Sequence, residues 1–260
     1  MIAFFFILGL CVGSFINTYA DRFVHQKALF APRSFCFSCQ NQLKTYQILP
    51  LFSFIFLRGK CGFCKDKIDK KCFFVELFCG ALFILAYLCS TSWLEFCFLS
   101  LFLSTLLLLS LIDLILKAVP LNLLLLAFVF ALVHSFSLDE LKELILFENF
   151  SNGFLLYSLC FCGAMFLLKM FLDFFLSLKY KQETQSLGEA DIVIISSMAG
   201  ILGFKFGLLL IFLSACLGLA FVILTALIQR KKLVKIAMIP FLSLAFVMIL
   251  TTELIHETYL

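Results

Sequence analysis

Long apolar runs separated by short polar segments extend along most of the chain. A helix needs about 20 apolar residues to cross the hydrocarbon core of a bilayer, which is about 30 Å thick. The pattern therefore predicts eight membrane-spanning helices, at residues 1–19, 73–91, 94–113, 119–135, 151–172, 190–204, 206–228 and 236–252. Only Lys205 separates the sixth run from the seventh, so seven spans is the alternative count. The expected fold class is an all-α polytopic integral membrane protein.

One long polar segment, residues 20–72, interrupts this pattern and is interpreted as a small cytosolic loop domain. No basic residue precedes the first apolar run, whereas a signal peptide has a basic region there. The first run is therefore interpreted as an uncleaved helix. The predicted organisation is a first transmembrane helix (1–19), the loop domain (20–72), a transmembrane core (73–252) and an external tail (253–260).

Composition excludes several classes of protein. Hydrophobic residues make up 63% of the 260 residues and charged residues only 14%, whereas soluble domains have about 45–50% and about 25%. The mean hydropathy is +1.13. A soluble fold of this length could not bury so much apolar surface. A soluble globular enzyme, a disordered tail and a coiled coil are all excluded.

Basic residues are concentrated on one side of the predicted topology. Ten of the 20 lysines and arginines lie in residues 20–72, and alternation of eight spans places eight more on the same side. Only Lys142 and Lys205 fall on the other side. Because cytosolic loops carry an excess of lysine and arginine, this side is expected to face the cytosol, with both termini external.

Four cysteines in the loop domain have the spacing of a metal site. Cys36 and Cys39 form one CxxC pair, Cys61 and Cys64 form another, and 21 residues separate the pairs. This spacing is typical of structural zinc sites with four thiolate ligands. The alternatives are two disulfides, which a reducing cytosol disfavours, four unlinked thiols, or an iron–sulfur cluster. The other eight cysteines lie in or beside apolar runs and are interpreted as small hydrophobic residues.

Two aspartates at predicted span ends are candidate catalytic residues. Asp113 ends the third span and Asp191 opens the sixth, and the topology brings both to the cytosolic face. Two adjacent carboxylates share one proton, so one can deprotonate a water while the other protonates the leaving group. The alternative is that each only marks a helix end, although Asp113 lies at the unfavourable C-terminal end. Asp173 and Glu76 are interpreted as interfacial anchors.

Several motifs, in order, resemble those of the bacterial type IV prepilin peptidases, which are GxGD-type membrane aspartic proteases. They are Gly-Ser-Phe-Ile-Asn at 13–17, Arg-Ser-Phe-Cys at 33–36, Arg-Gly-Lys-Cys at 58–61, Val-Glu at 75–76, Ile-Asp-Leu at 112–114, Pro120, Gly-Glu-Ala-Asp at 188–191 and Ile-Pro-Phe at 239–241. The chain departs from the family at Ala190, where the motif has glycine, at Leu121, and at Phe73 and Phe74 in place of Tyr-Pro.

The resemblance implies a function and a set of site residues. Asp113 and Asp191 would be catalytic, with Gly188, Glu189 and Ala190 completing the active-site motif in the core at 73–252. The activity implied is removal of the short basic leader from type IV prepilins or pseudopilins at the cytosolic face of the inner membrane. Acidic residues at the mouth of the site, Glu189 and Glu183, are candidates for attracting that leader.

The resemblance also implies a second reaction and certain partners. Many members of the family methylate the new N-terminus with S-adenosylmethionine, and zinc would be the structural metal. Membrane lipid is an expected partner and nucleic acid is not. Two other classes of function stay open: a non-catalytic zinc-bearing membrane scaffold for pilus or type II secretion assembly, and a small transporter, for which an internal repeat would be expected.

Overall fold

The computed structural model describes residues 1–26, 28, 35, 38–39, 41–42, 50–51, 54, 56–135, 153–180, 187–229 and 236–259. Within this part of the chain there are seven helices: α1 (Ile2–Val24), α2 (Lys70–Cys89), α3 (Trp93–Leu116), α4 (Leu121–Ser135), α5 (Phe154–Tyr180), α6 (Glu189–Gln229) and α7 (Ile239–Tyr259). Two isolated antiparallel bridges, Phe35 with Gln42 and Lys60 with Lys67, accompany them. The predicted all-α class is confirmed.

Five of these helices, α1, α2, α3, α5 and α6, are long and apolar enough to cross a membrane. The helix α4 and the segment Ile239–Ile255 of α7 are shorter apolar helices. The protein is therefore a multi-span membrane protein. The predicted spans and the helices differ mainly at their ends, because α1 continues to Val24 and α7 continues to Tyr259, through the residues assigned to an external tail.

The chain divides into two compact units, Met1–Ser90 and Thr91–Leu260. In the first unit α1 packs along α2, and small residues allow the two backbones to approach closely. A Cβ added at Gly9 would lie 2.8 Å from Cα of Gly80, and one at Gly13 would lie 2.9 Å from Cα of Glu76. Close packing through glycine is typical of helix pairs in membranes.

In the second unit α3 is the most buried helix. It packs against α4 and α7, and α6 packs against α4, α5 and α7. Phe102 and Leu109 of α3 are fully buried, and the ring of Phe102 meets Phe246 of α7 edge to face with centroids 5.6 Å apart. The helices α3 and α6 therefore share two neighbours, α4 and α7.

The long element α6 is interrupted at Gly203, whose φ of 77° and ψ of −179° are not helical. In a straight helix Ala199 and Gly207 would be about 12 Å apart along the axis, but a Cβ at Gly207 would lie 3.0 Å from that of Ala199. The chain thus folds back at Gly203 into two arms, residues 189–202 and 204–229. These arms correspond to the sixth and seventh predicted spans.

Candidate active site and metal centre

Asp113 lies in the last turn of α3 and is 7% exposed. Its carboxylate oxygen Oδ2 accepts a hydrogen bond of 3.3 Å from the backbone N–H of Ile239, the first residue of α7. One turn earlier the hydroxyls of Ser110 and Ser243 are hydrogen-bonded at 3.0 Å. The helix α3 then ends at Leu116, and its C-cap residue, Lys117, has a left-handed φ of 52°. These contacts fix Asp113 against the start of α7.

The contact with Ile239 explains how a carboxylate is accommodated at the C-terminal end of its own helix. Negative charge is unfavourable there, because the carbonyl groups of the last turn carry partial negative charge. The N-terminus of α7 offers the opposite partial charge and a free N–H group. This partner of Asp113 lies 126 residues away in the chain, so the sequence order alone does not reveal it.

Asp191 lies in the first turn of α6 and is half-buried. Its backbone N–H donates to the carbonyl of Gly188 at 3.2 Å. A Cβ added at Gly188 would lie only 2.8 Å from Oδ2 of Asp191. Glycine at 188 thus leaves the space that the carboxylate occupies.

Ala190 belongs to the first turn of α6 and has a helical backbone, since Gly203 is the position in this helix where φ and ψ are not helical. A glycine at this position would allow an unusual φ. No such φ is required here, and alanine is the better helix former.

Glu189 is an exposed member of the motif, with a side chain 88% exposed. Its carboxylate receives a hydrogen bond of 3.1 Å from Nζ of Lys169 on α5, whose side chain is 12% exposed. The sequence indicated only that Lys169 is a basic residue and predicted no role for it at the site. Glu183, the other candidate for attracting a basic leader, lies outside the described residues.

Three of the four predicted metal ligands lie together in the first unit. The Sγ atoms of Cys39, Cys61 and Cys64 are all within 4.8 Å of one another. Tetrahedral zinc with sulfur at 2.3 Å would place its ligands about 3.8 Å apart, so the donor set fits zinc. Cys36 lies outside the described residues. The cysteines of the described residues are free of disulfides.

Backbone hydrogen bonds shape the turn that carries two of these thiols. The N–H of Cys61 donates to the carbonyl of Asp66 at 2.8 Å, and the N–H of Lys65 donates to the carbonyl of Cys61 at 3.1 Å. The Ser38 hydroxyl donates to the carboxylate of Asp66, which links the Cys39 segment to this turn. That hydrogen bond, with a second from the backbone N–H of Lys67, lowers the pKa of Asp66.

The sequence suggested that Glu76 is an interfacial anchor. In the structure it is instead buried, at 8% exposure, in the first unit. Its Oε2 accepts a hydrogen bond of 2.8 Å from the backbone N–H of Leu51. Nearby, Nδ2 of Asn17 donates to Sγ of Cys72 at 3.0 Å. The signal in the sequence was a glutamate within an apolar run, where a charged side chain needs internal partners.

Residues 7–90 match the family model of the bacterial peptidase A24 N-terminal domain. Among curated proteins, the prepilin leader peptidase/N-methyltransferase of Myxococcus xanthus is 41% identical over 80 residues, which are 31% of this chain and 24% of the relative. Proteins of the same name from Stutzerimonas stutzeri and Bacillus subtilis are each 36% identical, over 29% and 33% of this chain and 34% and 35% of the relatives.

The matched segment thus spans between about a quarter and about a third of the length of these relatives. No solved structure matches the chain. The segment that matches contains Cys39, Cys61, Cys64 and the α1–α2 pair, whereas Asp113 and Asp191 lie beyond it. Residues 7–90 of this chain are therefore similar to the bacterial peptidase A24 N-terminal domain and to a part of the prepilin leader peptidases/N-methyltransferases.

Proposed function

We propose that this protein is a membrane-embedded aspartic endopeptidase that removes the short basic leader from type IV prepilins or pseudopilins at the cytosolic face of the inner membrane. The observation that carries the proposal is the placement of the two aspartates. Asp113 is buried at the end of α3 against the start of α7, and Asp191 begins α6, which packs against the same neighbours, α4 and α7.

In the proposed reaction Asp113 and Asp191 share one proton across the site. The ionised carboxylate takes a proton from a water molecule, and the water oxygen bonds to the carbonyl carbon of the scissile peptide. The protonated carboxyl then gives its proton to the leaving nitrogen as the C–N bond breaks. Acid–base assistance of this kind contributes about 10²–10⁴-fold to a rate. Gly188 keeps the space around the Asp191 carboxylate free.

The names of the relatives and the membrane setting support this choice of substrate class. The relatives are called prepilin leader peptidases, and a prepilin would present an apolar helix that lies laterally in the bilayer. Its basic leader would remain at the cytosolic side, where the topology expected from basic residues places both aspartates.

A second activity, N-methylation of the new N-terminus, is part of this proposal because the relatives are also called N-methyltransferases. S-adenosylmethionine would supply the methyl group. Zinc held by Cys36, Cys39, Cys61 and Cys64 would organise the loop domain. A site with four thiolate ligands is closed, so it would not activate water.

One observation favours a second candidate function. The family match covers the first unit, with its cysteine cluster, and does not reach Asp113 or Asp191. A non-catalytic, zinc-bearing scaffold for pilus or type II secretion assembly would need the first unit and neither aspartate.

The deciding experiment measures leader release from a model prepilin by detergent-purified protein. The variants are Asp113→Asn and Asp191→Asn, with Glu253→Gln, at the far end of α7 from Ile239, as the matched control. The peptidase proposal predicts that wild type and the control cleave and that each aspartate variant loses cleavage while staying folded. Equal processing by all four proteins would remove the two aspartates from the mechanism.

A further inference from the structure

Lys169 is one of three charged residues, with Asp173 and Lys179, on a helix whose other side chains are mostly apolar. Its neighbours Leu167, Leu168 and Met170 are all exposed, as expected of a lipid-facing surface. A lysine within a membrane span costs about 2.5–3.5 kcal/mol on insertion scales and usually pairs with another group. In the described residues Lys169 pairs with Glu189, at 3.1 Å, in the motif that contains Asp191.

The angular positions of Glu189 and Asp191 around the axis of α6 relate this ion pair to the direction in which Asp191 points. An α-helix turns about 100° per residue, and Gly200 is in close contact with the ring of Phe154 on α5. Glu189 is eleven residues before Gly200, so it lies about 20° from Gly200 around the helix and faces α5 as well. Asp191 is nine residues before Gly200 and lies about 180° away. When Glu189 faces α5, Asp191 therefore points away from α5.

Asp191 therefore lies on the side of α6 opposite the face that meets α5, and α6 shares its other two neighbours, α4 and α7, with α3, which carries Asp113. The first turn of a helix frays easily, since its N–H groups lack intrahelical partners. A contact at Glu189 fixes this turn at the position nearest to Gly188, where the chain enters the helix.

We propose that Lys169 is a positioning residue: its ion pair with Glu189 sets the rotation of the first turn of α6 and so directs the Asp191 carboxylate towards Asp113. The inference rests on the proposed peptidase function. It gives Glu189 a different role from attraction of the basic leader, since its carboxylate is engaged by a cation of the protein itself.

The two roles of Glu189 predict different kinetics. Loss of a leader-binding carboxylate raises KM, because substrate binding weakens. Loss of a positioning contact lowers kcat with little change in KM, since a displacement of about 1 Å can cost as much as 10²-fold in rate. Because Glu189 is 88% exposed, the pair adds little to stability, so the melting temperature should not move.

The test is a charge exchange in the full-length purified protein, with cleavage of a model prepilin as the readout. Lys169→Glu and Glu189→Lys should each lower kcat on the order of tenfold, and the double variant with both changes should recover most of that loss. Lys205→Gln, an exposed lysine just beyond Gly203, is the control for simple loss of a positive charge. If Lys169→Glu does not accumulate, Lys169→Met takes its place and should show the same fall in kcat.

Four results are informative. Recovery in the exchanged double variant supports the positioning role. A double variant as slow as the single variants, or a Glu189→Lys variant in which only KM rises, overturns it. Wild-type protein that does not cleave at all, beside an equally inactive Asp191→Asn, counts against the peptidase function itself and not against the ion pair.

Discussion

At Gly188 an added methyl group would displace the carboxylate of Asp191, which occupies the space that the methyl group would need. The sequence identified this glycine by its motif, but the reason for it is a contact three residues ahead in the chain. The contacts of Asp113 were likewise not predictable from the sequence. Its hydrogen bond to the N–H of Ile239 depends on how α3 and α7 pack, and helix packing is not encoded in local patterns.

Gly188→Ala is expected to reduce leader cleavage on the order of tenfold or more, because the new Cβ would lie 2.8 Å from Oδ2 of Asp191 and would turn the carboxylate. Cleavage of a model prepilin measures this. Gly163→Ala is the matched control, since a Cβ there meets nothing within 4 Å and alanine favours the helix. A Gly188→Ala protein with wild-type cleavage would show that the carboxylate needs no such space.

For the three cysteine ligands that the structure describes, their spacing in the sequence was enough to predict that they lie together. The Sγ atoms of Cys39, Cys61 and Cys64 converge as the two CxxC pairs predict, and the fourth ligand, Cys36, stays a prediction. By contrast, the hydrogen bond from Ser38 to Asp66 follows only from the loop's folded path. The burial of Glu76 was missed because it depends on the close approach of α1 and α2.

Purified protein is expected to contain about one zinc per chain, as a single four-thiolate site requires. Cys39→Ser and Cys61→Ser should each lower the bound zinc, because serine is a poor substitute for a thiolate ligand. Metal content by elemental analysis measures this, with Cys216→Ser, an exposed cysteine in α6, as the control. Stoichiometric zinc in a protein with all four predicted ligands changed to serine would refute the assignment.

Among the elements, α6 shows most clearly what hydropathy reveals and what it does not. The prediction placed a break at Lys205, where the apolar pattern is interrupted, and the chain folds back at Gly203. Hydropathy locates a break at the charged residue, whereas the turn forms where the backbone can adopt φ of 77° with ψ of −179°. That region is accessible essentially to glycine alone.

Gly203→Ala is therefore expected to destabilise the second unit by about 1–3 kcal/mol, the usual cost of holding a non-glycine residue in such a conformation. The melting temperature of the detergent-purified protein should fall relative to wild type. Gly163→Ala, at an open helical position, should not lower it. An unchanged melting temperature in Gly203→Ala would mean that the arms do not depend on this backbone geometry.

On the scale of the whole molecule, composition and hydropathy predicted an all-helical membrane protein, and this class is confirmed. The number of spans, the side that each loop faces and the domain boundaries stay predictions. The spans and the sidedness depend on a bilayer and on the charge of loops such as residues 20–72. The division into Met1–Ser90 and Thr91–Leu260 follows helix packing and not these loop charges.

The chemistry is divided between the two units. The cysteine cluster and the family match belong to the first, and Asp113 and Asp191 belong to the second. An account of this protein as a peptidase therefore depends on whether the aspartates act on a substrate. That question is independent of the zinc and of the family match.

The most direct measurement is intact mass spectrometry of a model prepilin incubated with the purified protein in ¹⁸O-water. We expect two fragments whose masses together equal the precursor plus one water, with ¹⁸O in the new carboxylate of the leader, and no fragments from the Asp113→Asn, Asp191→Asn double variant. An intact precursor in the presence of folded wild-type protein would contradict the account, as would the same two fragments released by the double variant.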